Sequence, residues 1–174
     1  MTDWTQQQVD SLNSLRGCVV LRWVAVETAA REVGVRGKPQ WYDDSVPFLQ
    51  LDRLDLLLSG GTVVSLATYQ SDDMWGIHRC DGLAPLELKP SEPTSIFRTR
   101  ILNELPVGEI NSVGVLMYES RILAGVSLGV QGSNVLLRTG EVYEEADGSL
   151  RIVEMDESIL VTVDGKMPRS GTPA

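Results

Sequence analysis

Any chemistry in this chain has to begin at His78, the one histidine among 174 residues. Imidazole is the side chain whose unperturbed titration falls near neutral pH. Cys80 follows two positions later, and on an extended strand residues i and i+2 share a face. Such a pair is the minimum for a thiolate activated by a neighbouring base. No nucleophile motif surrounds Cys80, so a structural role is the stronger reading. Gly125-Val-Ser-Leu-Gly129 matches the Gly-x-Ser-x-Gly pattern. A nucleophile elbow, however, needs a strand running into a helix, with an acid and a histidine later in the chain. His78 precedes Ser127, and the residues after it are strand-like. One histidine with Cys18 and Cys80 falls short of a Cys₂His₂ or Cys₄ zinc site. Asp43-Asp44 and Asp72-Asp73 lack the alternating acids and the glycine of a calcium loop. Glycine-rich phosphate motifs are absent. The residue types therefore predict no catalytic constellation, no metal and no cofactor.

Binding chemistry is better represented. Twenty-four acids against fifteen bases give a net charge of −9. Such a field repels polyanions, which excludes direct nucleic-acid binding, and it steers basic partners inward. The acidity is uneven: residues 1–40 carry +1 and the remainder −10, with eight acids against one base in 141–164. Trp41-Tyr42-Asp43-Asp44 puts two interface-prone aromatics beside two acids, and Asp72-Asp73 with Trp75 repeats the combination. The candidate partner-binding set is Trp41, Tyr42, Asp43, Asp44, Asp72, Asp73, Trp75, Glu144, Glu145, Asp156 and Glu157. The competing reading makes these a core plug, helix caps and solvated hairpin faces. A pocket near Trp75 and His78, serving a small molecule or a reaction, is the alternative functional site.

The elements that would position these residues are mostly strands. Thr5 is placed to cap a first helix carrying Val9, Leu12 and Leu15, ended by Gly17. Cys18 to Val26 reads as a strand, and Glu27 to Val33 as a short helical turn. The run from Phe48 through Leu58, the Gly60-Gly61 turn, Thr62 to Tyr69 and Met74 to Cys80 predict a meander. Four prolines punctuate 81–108, where Ser95 to Glu104 is expected to form a short helix. Further strands are predicted at Ile110 to Tyr118, Arg121 to Val130, Val135 to Leu137, Glu141 to Tyr143, Leu150 to Val153 and Ser158 to Val163. Thr139-Gly140 and Asp147-Gly148 are read as turns among them. The expected fold is α+β: mainly antiparallel sheet in hairpins and meanders, an N-terminal helix and one or two short helices. A single domain spans 1–165, followed by a flexible tail over 166–174. No apolar stretch approaches the roughly 18 residues of a membrane span, and no signal peptide is visible, so the expected location is the cytoplasm. Whether Cys18 and Cys80 meet, and the oligomeric state, are left open.

Gly140-Glu-Val-Tyr, Asp147-Gly-Ser-Leu-Arg-Ile and Asp156-Glu-Ser-Ile-Leu-Val161 resemble the last strands of β-rich immunity proteins from bacterial polymorphic-toxin and contact-dependent secretion systems. The resemblance covers the last third of the chain and carries no functional residue across. It implies a non-catalytic inhibitor that binds a cognate toxin directly, most naturally a basic one such as a nuclease. An effector adaptor or chaperone is the remaining alternative.

Overall fold

The computed structural model describes residues 2–34 and 37–168. Ten strands and one helix account for its regular structure: α1 (Asp3–Asn13), β1 (Val19–Thr28), β2 (Leu49–Leu58), β3 (Val63–Ser71), β4 (Met74–Cys80), β5 (Phe97–Ile101), β6 (Gly108–Tyr118), β7 (Ile122–Val130), β8 (Ser133–Glu144), β9 (Leu150–Glu154) and β10 (Ser158–Val163). Of the described residues 53% are strand and 7% helix, which overturns the α+β expectation. The architecture is a closed six-stranded antiparallel barrel with outer strands. Around the ring β1 pairs with β2, β2 with β10, β10 with β8, β8 with β7, β7 with β6, and β6 returns to β1. Outside it, the β3–β4 hairpin extends β2, β5 lines up along β1, and β9 pairs with the far part of β8.

Alternation supplies the interior. Trp23 and Ala25 of β1, Leu54, Leu56 and Leu58 of β2, Val126, Leu128 and Val130 of β7, and Ile159 and Val161 of β10 join one buried cluster. In β2 the inward set runs Leu49, Leu51 and then Leu54, a slip of one residue. Opposite it, Glu27 pairs with Leu51 and Val26 with Arg53, so Asp52 is the extra residue of a bulge. Leu12 and Leu15 of α1 enter the same core. The helix is capped by Thr2, whose hydroxyl accepts from Thr5 N–H at 3.1 Å, and not by Thr5, which is buried inside the first turn.

Both expected short helices are strand or loop. Glu27 and Thr28 continue β1, and beyond them Arg31 bridges back to Gln40. Within Ser95 to Glu104 the chain forms β5, because Arg98 and Arg100 face Glu27 and Ala25 across an antiparallel pair. Ion pairing to a buried carboxylate outweighs the helical propensity of that stretch. The expected turn at Thr139-Gly140 lies inside β8. There Thr139 C=O accepts from Met155 N–H, and Gly140 is closed in on two sides. A Cβ at Gly140 would sit 2.5 Å from Leu160 Cδ1 and 2.8 Å from Val153 O, so only glycine lets the neighbouring chains approach. At the C-terminal end, Lys166 C=O accepts from Val163 N–H and Met167 packs on the core; the rest of the expected tail, 169–174, lies outside the described residues. No helix among the described residues is long and apolar enough to cross a membrane.

Candidate binding cleft

Strand exchange opens a cleft on the barrel wall. Along β2, pairing to β10 ends at Leu51 and pairing to β3 begins at Arg53, so Asp52 stands at a junction. The Thr68 hydroxyl of β3 donates to Glu157 C=O at 2.6 Å and ties the two sides together. Pairing of β8 with β7 stops at Arg138 and with β10 at Gly140; beyond that only β9 accompanies it. Between these diverging strands lies a cleft of about 690 Å³. Ala29, Ala30, Val33, Ile96 and Phe97 give it an apolar wall, to which Trp75 and Tyr143 add aromatic faces.

Its charge is one-sided. Among the described residues, Glu32, Asp52, Glu141, Glu144 and Glu157 line it with a single base, Arg31. Arg31 is already committed: its Nε donates to Asp43 at 3.0 Å, and its Nη1 to Glu144 at 2.8 Å and to Gly148 C=O at 2.7 Å. Among the described residues, Glu32, Asp52, Glu141 and Glu157 form no ion pair. Glu141 lies deepest in charge terms. Gln50, itself buried, donates from Nε2 to Glu141 Oε1 at 2.8 Å while its own carbonyl accepts from Val142 N–H at 2.9 Å. Glu141 Oε2 is buried and accepts no hydrogen bond, and Thr28 Oγ1 on the same cleft is equally buried and unpartnered. An unsatisfied buried polar atom costs about 1–3 kcal/mol. Burial pushes the Glu141 carboxyl up to about 7, with Glu157 and Asp156 adding to the rise. Ser158 and Gln50 pull the other way; Ser158 does so from nearby, without a hydrogen bond of normal geometry to Oε2.

Next to the cleft a second charge cluster is closed on itself. Glu27, 1% exposed, accepts from Arg98 Nε and Arg100 Nε, both at 2.6 Å. Arg100 also pairs with Glu104. Two carboxylates thus meet two guanidinium groups, and Tyr42 Oη accepts from both, at 3.2 and 3.3 Å. The Arg98 guanidinium lies 4.1 Å from the Trp41 ring centre.

The predicted binding residues therefore divide. Trp75, Glu144 and Glu157 line the cleft, and Asp156 borders it by accepting from Tyr143 Oη at 3.0 Å. Trp41 and Tyr42 are engaged by Arg98 and Arg100, and Asp43 holds Arg31 and the Ser45 hydroxyl. Asp44 shares that loop. Asp72 and Asp73 sit at the β3–β4 turn, outside the lining, where Asp72 pairs with Arg121. Glu145 pairs with Arg151. Gln50, Asp52 and Thr28 were missed, and Glu141 was noticed only as one acid among eight. Their convergence depends on strands distant in sequence; the one local signal was the phase slip at Asp52.

His78 and Cys80 do share a face of β4, with Sγ 3.3 Å from Nε2. Burial lowers the imidazole pKa and raises that of the thiol, so both stay neutral near pH 7 rather than forming a thiolate–imidazolium pair. Neither lines the cleft; His78 instead lies beside Tyr69 and Trp4. Ser127 is mid-strand in β7 and donates to Asn134. Cys18 and Cys80 are free thiols. Among the described residues no three His, Cys, Asp or Glu side chains converge to hold a metal ion. Comparison with protein-family models, curated proteins and solved structures finds no match to this chain.

Proposed function

We propose that this chain is a non-catalytic binding protein that docks a basic partner protein on its acidic cleft, as the bacterial immunity proteins it resembles would dock a toxin domain. One observation carries the reading: among the described residues, five carboxylates surround the cleft against a single arginine whose charge is already shared by two acids. Gathering like charges around a concavity is unfavourable for the isolated fold, and a cationic partner relieves it. Clefts also focus the field of their charges and speed encounter with an oppositely charged surface. A nuclease toxin evolved to hold polyphosphate would present such a surface, and an acidic inhibitor would imitate the charge of its substrate. The free thiols of Cys18 and Cys80 suit a reducing compartment and support placing the encounter in the cytoplasm.

The reading expects a neighbouring gene that encodes a basic toxin domain, and the test is calorimetric titration of the purified chain with that domain. Binding is expected in the nanomolar range at about 0.05 M salt and at least about tenfold weaker at about 0.5 M, as screening shortens the reach of the cleft's charges. Glu157→Lys is expected to weaken it further. Absence of any complex at low salt overturns the reading.

A further inference from the structure

Resting on that docking reading, we infer that the cleft receives one arginine side chain, carried on an extended segment of the partner, with Glu141 as its carboxylate counterpart. Two oxygens point to a missing donor. Glu141 Oε2 and Thr28 Oγ1 are both buried, both without a hydrogen bond, and both on this cleft, although they come from β8 and β1. Glu141 cannot easily turn away to satisfy itself, because Gln50 holds its other oxygen and is in turn held by Val142 N–H. A guanidinium group fits this arrangement better than an ammonium. Its donors are spread in one plane and can reach acceptors on separate strands at once. Trp75 and Tyr143 bring aromatic side chains to the cleft, and Ile96 and Phe97 can cover the methylene stem. The chain already uses the same pairing internally: Arg98 lies over Trp41 at 4.1 Å, and Arg151 over Tyr143 at 5.3 Å. At about 690 Å³ the cleft has room for flanking backbone as well as one side chain.

The charged groups facing Glu141 come from every side of the cleft. Glu157 and Asp156 belong to the β9–β10 turn, Asp52 to β2, Glu144 to Glu141's own strand, and Glu32 with Arg31 to the segment after β1. Arg31 is occupied by Asp43 and Glu144, so among the described residues no base lining the cleft neutralises Glu141. With its carboxyl held at about 7 by burial and by Glu157 and Asp156, Glu141 is about half protonated at neutral pH. An entering guanidinium stays charged and stabilises the carboxylate. Where the carboxyl is protonated its proton passes to solvent, about half a proton per arginine at about pH 7 and close to one at about pH 6, and no other bond changes.

The full chain is titrated calorimetrically with the peptide acetyl-Gly-Arg-Gly-amide and with its citrulline counterpart, which keeps the shape and loses the charge. Buffers of differing ionisation enthalpy report proton release. Expected results are millimolar binding of the arginine peptide at about pH 8 and at least about tenfold weaker binding of the citrulline peptide. Affinity should fall about tenfold between about pH 8 and about pH 6, with close to one proton released per peptide at about pH 6 and little released at about pH 8. Glu141→Gln should weaken the arginine peptide at about pH 8 and flatten its pH profile. If that variant does not fold, Glu157→Gln, which removes a like charge beside Glu141, should shift the pH profile to lower pH. Equal affinity for the citrulline peptide, an unchanged profile in Glu141→Gln, or tighter binding of spermidine than of the peptide overturns the inference. Failure here with an intact, salt-sensitive protein complex would leave the docking reading standing. Arginine-peptide binding without a protein complex would do the reverse.

Discussion

Two groups of buried charge lie close together in this barrel and are assembled on opposite principles. Around Glu27, two carboxylates and two guanidinium groups satisfy one another, and Tyr42 and Trp41 close over them. Around Glu141, carboxylates face each other across open space and two buried oxygens have no partner. The first arrangement needs nothing from outside, and it joins β1 to β5. The second is incomplete within the described residues. Glu27 is 1% exposed and Glu141 only partly buried, so the better buried carboxylate is the one that is fully paired. What separates them is whether the counter-charges are on board.

The sharpest way to break the contrast is Glu27→Ala, which strands Arg98 and Arg100 without their shared acceptor. Removing one partner from a buried ion pair costs about 3–5 kcal/mol, and urea denaturation should show a loss of that order. Trp41→Ala keeps the charges and removes the aromatic cover over Arg98, so a smaller loss of roughly 1–2 kcal/mol is expected in the same assay. Glu141→Gln should move stability the other way. A carboxyl whose folded pKa, about 7, lies above its unfolded value of 4.5 binds more protons when folded. Its contribution is complete below about pH 4.5 and lost as pH rises through about 7. Above that range the Gln variant is expected to be the more stable by roughly 1 kcal/mol, discounted for the solvent that still reaches the group, and its stability should vary less between about pH 4.5 and about pH 7. A variant less stable than the parent at about pH 8 would put Glu141 among the self-satisfied charges. Asp72→Asn, at an exposed pair with Arg121, should change stability by less than about 0.5 kcal/mol and sets the baseline for charges of neither kind.

The strands, though not their closure into a barrel, were legible because they alternate apolar and polar residues between clear turns. β4 and β10 were placed correctly to the residue, and β6 and β7 within a residue or two. The errors share a cause. At β5 the strand is held by Glu27, seventy residues earlier in the chain, and local propensity says nothing of such a partner. At β8 the Thr139-Gly140 dipeptide has the composition of a turn, yet glycine is there because Leu160 and Val153 crowd it. The cleft was half legible. Acid density drew attention to Glu144 and Glu157, and the Trp-plus-acid pattern to Trp75. Thr28, Gln50 and Asp52 carry no distinguishing neighbours, and only the register of β2 against β1, β3 and β10 brings them together.

The place of β10 in the ring has a consequence for how the protein is made. The strand that closes the barrel, between β2 and β8, is the last of the ten in the chain. On the ribosome β2 and β8 therefore emerge with open edges, and each edge stays a template for wrong pairing until residues 158–163 arrive. Glu157 and Ser158, which finish the cleft, come out at the same moment. The cleft is thus incomplete until the barrel is sealed. A nick ahead of β10 would disrupt the cleft and the closure of the barrel together.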